Sequence, residues 1–104
     1  MEKIRFSKHS IDRFKERFSE KIEDGNVCRS IARLFYHAKE DKRFLNNTKF
    51  TTYIYEKHGY DKPMSFHTNN DILFVCRDDT LVTVMFTSQS IFNDETSSYK
   101  AKNK

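Results

Sequence analysis

The sequence predicts an α+β domain in which two N-terminal helices pack on one face of a three- or four-stranded antiparallel sheet. Three observations lead there. Apolar residues recur with helical spacing from residue 7 to residue 44. The period falls to two between Lys49 and Lys57. Two strongly apolar runs, 71–77 and 80–87, are then separated only by Asp78-Asp79.

The first helix begins at Ser7, a good N-cap, with Phe6 before it placed to pack on Ile11 as a hydrophobic staple. Ile11, Phe14, Phe18 and Ile22 then form one apolar stripe, and Asp24-Gly25 is the expected end, glycine suiting the left-handed position after a helix. Asn26 caps a second helix, whose stripe of Val27, Ile31, Leu34, Phe35, Ala38 and Leu45 carries it to about Phe44, before Asn46-Asn47. KFTTYIYEK (49–57) alternates and is rich in β-formers, which predicts a strand with Phe50, Thr52 and Ile54 on one face and Thr51, Tyr53 and Tyr55 on the other. HGYDKP (58–63) reads as a turn or loop, and MSFHT (64–68) as a short edge strand. DILFVCR and TLVTVMFT form a tight hairpin. From Ser88 onward the chain is polar except for Ile91-Phe92, which gives one domain over 1–92 and a flexible basic tail over 93–104.

The chain has 104 residues, enough for one core with little to spare. Ten phenylalanines and five tyrosines without tryptophan imply that aromatic rings fill much of it. Net charge is +4 but unevenly placed: residues 1–49 hold 13 Lys/Arg against 8 Asp/Glu, whereas residues 50–97 hold 3 against 7. A basic helical half attracts a phosphate backbone, and the mildly acidic half does not. Cys28 and Cys76 lie far apart without a CxxC, so buried, reduced thiols in the cytoplasm of a bacterial host are expected. The start, MEKIRF, lacks the apolar run of a signal peptide, and no apolar stretch approaches the roughly 20 residues of a membrane span, so no membrane partner is expected.

The four histidines share no ligand spacing with each other or with the cysteines, so neither metal nor cofactor is expected. No glycine-rich phosphate loop, GxSxG or Cys-His signature is present. What remains is acid–base work on a charged substrate. His9, Arg13 and Arg17 follow one another at single-turn spacing on the side of the first helix away from its phenylalanines. His9 sits near the positive helix end, which disfavours imidazolium and leaves a neutral imidazole able to take a proton near pH 7. Two guanidiniums beside it can fork onto a phosphate. His67, or Tyr53 or Tyr55, would act as the acid. Lys8, Arg29 and Arg33 would add contacts to nucleic acid, and Tyr53 and Tyr55 would stack bases from the sheet. An ordinary solvated helix face shows the same basic pattern, and tyrosines on a strand also arise from cross-strand packing.

KHSIDRFKERF resembles the opening of small toxin-type proteins of the barnase/colicin/RelE-like ribonuclease superfamily, including its uncharacterised phage and plasmid members. These begin with a helix of the form His-x3-Arg-x3-Arg and end on an antiparallel sheet whose last strand is rich in valine, as LVTVMF is. The resemblance implies RNA as substrate and cleavage without metal or cofactor, with His9, Arg13 and Arg17 at the site. Such nucleases usually carry cations on the sheet, whereas this sheet half is acidic and Arg77 is the cation on its two apolar strands. The alternative is a non-catalytic phage- or plasmid-encoded inhibitor that binds a host protein or nucleic acid, its acidic sheet imitating a phosphate backbone. A cognate antitoxin is a further candidate partner.

Overall fold

Side-chain caps set where the helices begin. Ser7 Oγ accepts from the Ser10 amide, Asn26 from Arg29 and Asn47 from Phe50, each satisfying one of the amides a helix start leaves unpaired. The computed structural model describes residues 4–89. In chain order these are β1 (Arg5–Phe6), α1 (Lys8–Arg17), a 3-10 turn (Ser19–Lys21), α2 (Val27–Tyr36), β2 (Lys39–Glu40), α3 (Thr48–His58), β3 (Ser65–Asn69), β4 (Ile72–Arg77), β5 (Thr80–Phe86) and a final 3-10 turn (Thr87–Gln89). The strands form one mixed sheet in the order β1-β5-β4-β3-β2, with β1 parallel to β5 and the other pairs antiparallel. The Ile91-Phe92 pair and the 93–104 tail lie outside the described residues.

The α+β class holds, but the layering differs from the expectation. Every residue from Ile72 to Cys76 is buried. Neighbouring strand residues point to opposite faces, so both faces of β4 must be covered. Ile72, Phe74 and Cys76 join Phe14, Phe18, Ile31, Phe35, Leu81 and Val84 under α1 and α2. Leu73 and Val75 join Phe44, Phe50, Ile54, Met64, Phe66 and Met85 under α3. The protein is thus three layers deep, with two separate apolar clusters divided by the sheet.

That division corrects three expectations. Residues 48–58 are a helix, not a strand: Phe50 and Ile54 are four apart, and that spacing places them on one face of a helix as well as of a strand. Burying both rows of a central sheet decides the matter, because β4 needs a second helical cover. The second helix stops at Tyr36 rather than Phe44, since Leu34 and Ala38 pack with one cluster and Phe44 with the other. The chain between them has to pass around the sheet edge, and it does so through β2, whose Lys39 and Glu40 pair with Thr68 and His67. The strand at 65–69 is therefore covered on both sides and is not the edge. The first helix also ends early, at Arg17. Phe18 leaves helical geometry, the 3-10 turn follows, and Asp24 and Gly25, both at positive φ, turn the chain into α2. The Asp78-Asp79 hairpin is as expected, with Asp78 at φ 54° and Arg77 paired with Thr80 across it.

Candidate functional site

The register of β5 decides where the basic row of α1 points. Val75 pairs with Thr83 and Cys76 with Leu81, so Val82 is the extra residue of a bulge. Because β1 covers only Thr80 and Leu81, the outer edge of β5 beyond them lacks a strand partner. Residues around α1 take its place. The Ser7 amide donates to the Leu81 carbonyl at 3.1 Å, Ser7 Oγ to the Val82 carbonyl at 3.0 Å and Arg17 Nη1 to the Val84 carbonyl at 2.8 Å. With α1 seated along this edge, its His9 side meets the end of α3 instead of open water.

There His9 touches His58, the last residue of α3. Their rings lie 5.4 Å apart, edge to face, with an interplanar angle of 62°. Burial holds His9 below its ordinary pKa, reinforced by the charges of Arg13, Lys57 and Arg17 and opposed by Asp12. Burial likewise lowers His58, with His9, Lys57 and Arg77 adding to the effect. Both imidazoles are therefore neutral near pH 7, inside a set of four cations contributed by α1, α3 and β4. Each cation has a local partner. Arg13 pairs with Glu16 at 2.8 Å, and Lys57 donates to the Tyr53 hydroxyl at 3.3 Å while lying over its ring. Arg77 binds the carbonyls of His58 and Gly59 and pairs with Asp61. A guanidinium carries five N–H donors, so one spent on a carbonyl does not exhaust Arg17.

This arrangement can do two things. A neutral imidazole accepts a proton, and because two touching imidazoles resist being charged together, protonation of one disfavours it at the other. One ring can thus act as base while its neighbour donates. The surrounding cations can hold a phosphate and offset charge that develops on it.

The other expected residues are placed elsewhere. His67 stands on β3, with β4 between it and β5, about 10 Å away at ordinary strand spacing. It packs against Phe35, meets Ser65 Oγ at 2.9 Å through Nε2, and is lowered in pKa by burial despite Glu40. It is not beside His9. Tyr53 and Tyr55 lie on α3 and not on the sheet. Tyr53 is half exposed beside Lys57, whereas the Tyr55 hydroxyl accepts from the Met64 amide at 2.7 Å and its ring stacks on Tyr60. Lys8 pairs with Asp12 at 3.2 Å, and Arg33 with Glu23. Arg29 is exposed on α2, and neither it nor Arg33 bonds to the histidine cluster among the described residues. Cys76 is buried, its thiol pushed up to about 12, but Cys28 is exposed, contrary to the expectation of two buried thiols.

Sequence reasoning missed Lys57 and His58 because it placed the first at the end of a strand and the second in a loop. The signal was present: Asn47 before Thr48 and Gly59 after His58 bracket a helix, with basic residues in its last turn. Among the described residues no group of three or more His, Cys, Asp or Glu is arranged to hold a metal, and no helix is long and apolar enough to cross a membrane. No protein-family model, curated protein or solved structure matches the chain.

Proposed function

We propose that this chain is a small toxin-type endoribonuclease that cleaves RNA without a metal, binding the phosphodiester where α1 meets the end of α3. The supporting observation is the contact of two neutral imidazoles, His9 and His58, inside Arg13, Arg17 and Lys57. In this reading one imidazole takes the proton of the 2′-hydroxyl as its oxygen attacks phosphorus. The bound phosphate favours the charged form of the other ring, which takes up a proton from solvent on binding and, as imidazolium, gives it to the departing 5′-oxygen, while the cations offset the charge of the phosphorane. His58 takes the acid role that the sequence had offered to His67. The His-x3-Arg-x3-Arg resemblance at His9, Arg13 and Arg17 points the same way.

A structured RNA incubated with the protein in EDTA tests the proposal. Cleavage is expected, and His9→Ala or His58→Ala should each lower its rate by about 10² or more. Products no different from an RNA-only control would end the catalytic reading.

A second reading, RNA binding without cleavage, is favoured by Arg13 on Glu16 and Arg17 on Val84, both engaged before any ligand arrives. It expects salt-sensitive binding and no products. Mimicry of a phosphate backbone by an acidic sheet is less well supported. Helices cover both sheet faces, and Asp61, Asp78 and Asp79 are paired with Arg77, Lys62 and Arg5.

A further inference from the structure

Arg77 does more than its place at the end of β4 requires. It is the last residue before the hairpin turn, a position where an outward-pointing side chain would be unremarkable. Yet its side chain is only 17% exposed, and its two terminal nitrogens are aimed away from the hairpin at the end of α3. Nη1 donates to the His58 carbonyl at 3.0 Å and Nη2 to the Gly59 carbonyl at 2.8 Å, while Nη1 also lies 3.3 Å from Asp61 Oδ1. The planar guanidinium fork thus spans two successive carbonyls that the end of a helix leaves unpaired. Gly59 follows His58 at φ 102°, and a side-chain carbon there would come within 3.1 Å of Asp61 Oδ1. The same carbon would stand 3.8 Å from Arg77 Nη1, so the turn, the Asp61 carboxylate and the guanidinium are packed in contact.

We propose that Arg77 is the positioning residue of the candidate site: by clamping the carbonyls of His58 and Gly59, it fixes the last turn of α3 so that the His58 ring stands against His9. His58 sits at a terminus, where helices fray, and among the described residues no hydrogen bond holds its ring in place. Its contact with His9 depends on where the backbone of that last turn is held, and Arg77 supplies two bonds to it from the sheet. The inference rests on the ribonuclease reading for its consequence in catalysis but not for its geometry, so the two are separately testable.

The test uses the full chain, with imidazole NMR titration as the main readout. The groups facing the two rings are Asp12, Arg13 and Arg17 from α1, Lys57 from α3 and Arg77 from β4. In wild type, proximity signals between the His9 and His58 rings and mutually dependent titration curves are expected. Arg77→Lys keeps the charge but cannot bridge both carbonyls. It should abolish the ring proximity and uncouple the titrations while the core methyl signals stay in place. If charge alone mattered, lysine would preserve the wild-type pattern, and that result would overturn the proposal. Gly59→Ala is a second, independent variant that perturbs the clamp from the turn side, and it should produce the same uncoupling. Retention of the ring contact in both variants would likewise defeat the proposal. In RNA cleavage, Arg77→Lys should lose about as much rate as His58→Ala, roughly 10²-fold, with little change in the salt dependence of binding. A wild type that shows the coupled pair but cleaves nothing would remove the ribonuclease reading and leave the positioning role standing.

Discussion

Arg17 Nη1 donates to the Val84 carbonyl at 2.8 Å, which makes a residue of the candidate basic row also a structural bond to the edge of β5. Arg13, one turn earlier, has among the described residues only Glu16 as its ion-pair partner, and that carboxylate is well exposed. The two arginines look equivalent in the sequence, yet they are expected to separate on mutation. Arg17→Ala leaves a part-buried carbonyl without its donor and should cost about 1–3 kcal/mol. Arg13→Ala removes a half-buried guanidinium whose ion-pair partner Glu16 is exposed to water, so it leaves no buried group unpaired and should cost about 1 kcal/mol or less. Urea unfolding midpoints at constant slope measure both. Equal losses would show that α1 is not fastened to β5 through Arg17.

The histidine pair makes stability depend on pH in a stated direction. His9, His58 and His67 all have folded pKa values below 6.5, so below that pH the unfolded chain binds more protons than the folded one. Their contribution to stability is complete above pH 6.5 and is lost as pH falls through the lower folded values. Asp41, lowered by its bond to Arg43, adds a separate loss that begins only below its ordinary 3.8. Unfolding midpoints measured downward from neutral pH should therefore fall in two stages, and replacing both His9 and His58 by glutamine should weaken the first. A bound phosphate favours imidazolium and acts oppositely. RNA binding should take up protons, visible as a calorimetric heat that changes with the ionisation enthalpy of the buffer.

The third layer of the fold is testable at Phe44. It is fully buried against Phe50 and Phe66, although the sequence pattern assigned it to the end of α2. Phe44→Ala should cost about 3–5 kcal/mol, comparable to Phe14→Ala in the other cluster. An end-of-helix residue in a two-layer protein would lose far less. Asn47→Ala, which removes the α3 cap, should cost about 1 kcal/mol and lower the helical circular dichroism.

What was legible in the sequence was local. Ser7 and Asn26 act as caps, and Asp78-Asp79 turns the chain, because each conformation is set within a few residues. The fate of 48–58 was not local. Phe50 and Ile54 satisfy two periods at once, and Thr51, Thr52 and Tyr53 favour a strand until β4 demands cover on both faces. The decisive clue was ILFVC, a run without alternation, which in a sheet signals burial on both sides. In the candidate site, His9, Arg13 and Arg17 were visible because they share one helix face. His58, nearly fifty positions away, joins them only once α3 is a helix and Arg77 holds its end.

The two cysteines should differ by reactivity. Cys28 is exposed at the start of α2, whereas Cys76 lies in the core of β4 with its thiol pushed up to about 12. Under native conditions an alkylating reagent should label Cys28 readily and Cys76 only through unfolding. Peptide mass analysis over time measures the ratio, and equal labelling rates would mean that the β4 face toward α1 and α2 is open.

If RNA is held where α1 meets α3, the cations that matter are those around the two imidazoles, not those on the outer side of α2. Lys57 bears on His9, but Arg29 and Arg33 have no bond to that cluster among the described residues. Each phosphate contact with a single strand contributes about 0.7 to the slope of log affinity against log salt. Lys57→Ala should therefore flatten that slope by about 0.7 and weaken binding, whereas Arg29→Ala should leave both nearly unchanged. Fluorescence anisotropy with a labelled oligonucleotide over a salt series makes the comparison. The reverse pattern, in which Arg29 changes the slope and Lys57 does not, would move the nucleic-acid surface onto α2 and leave the His9–His58 pair without a phosphate to act on.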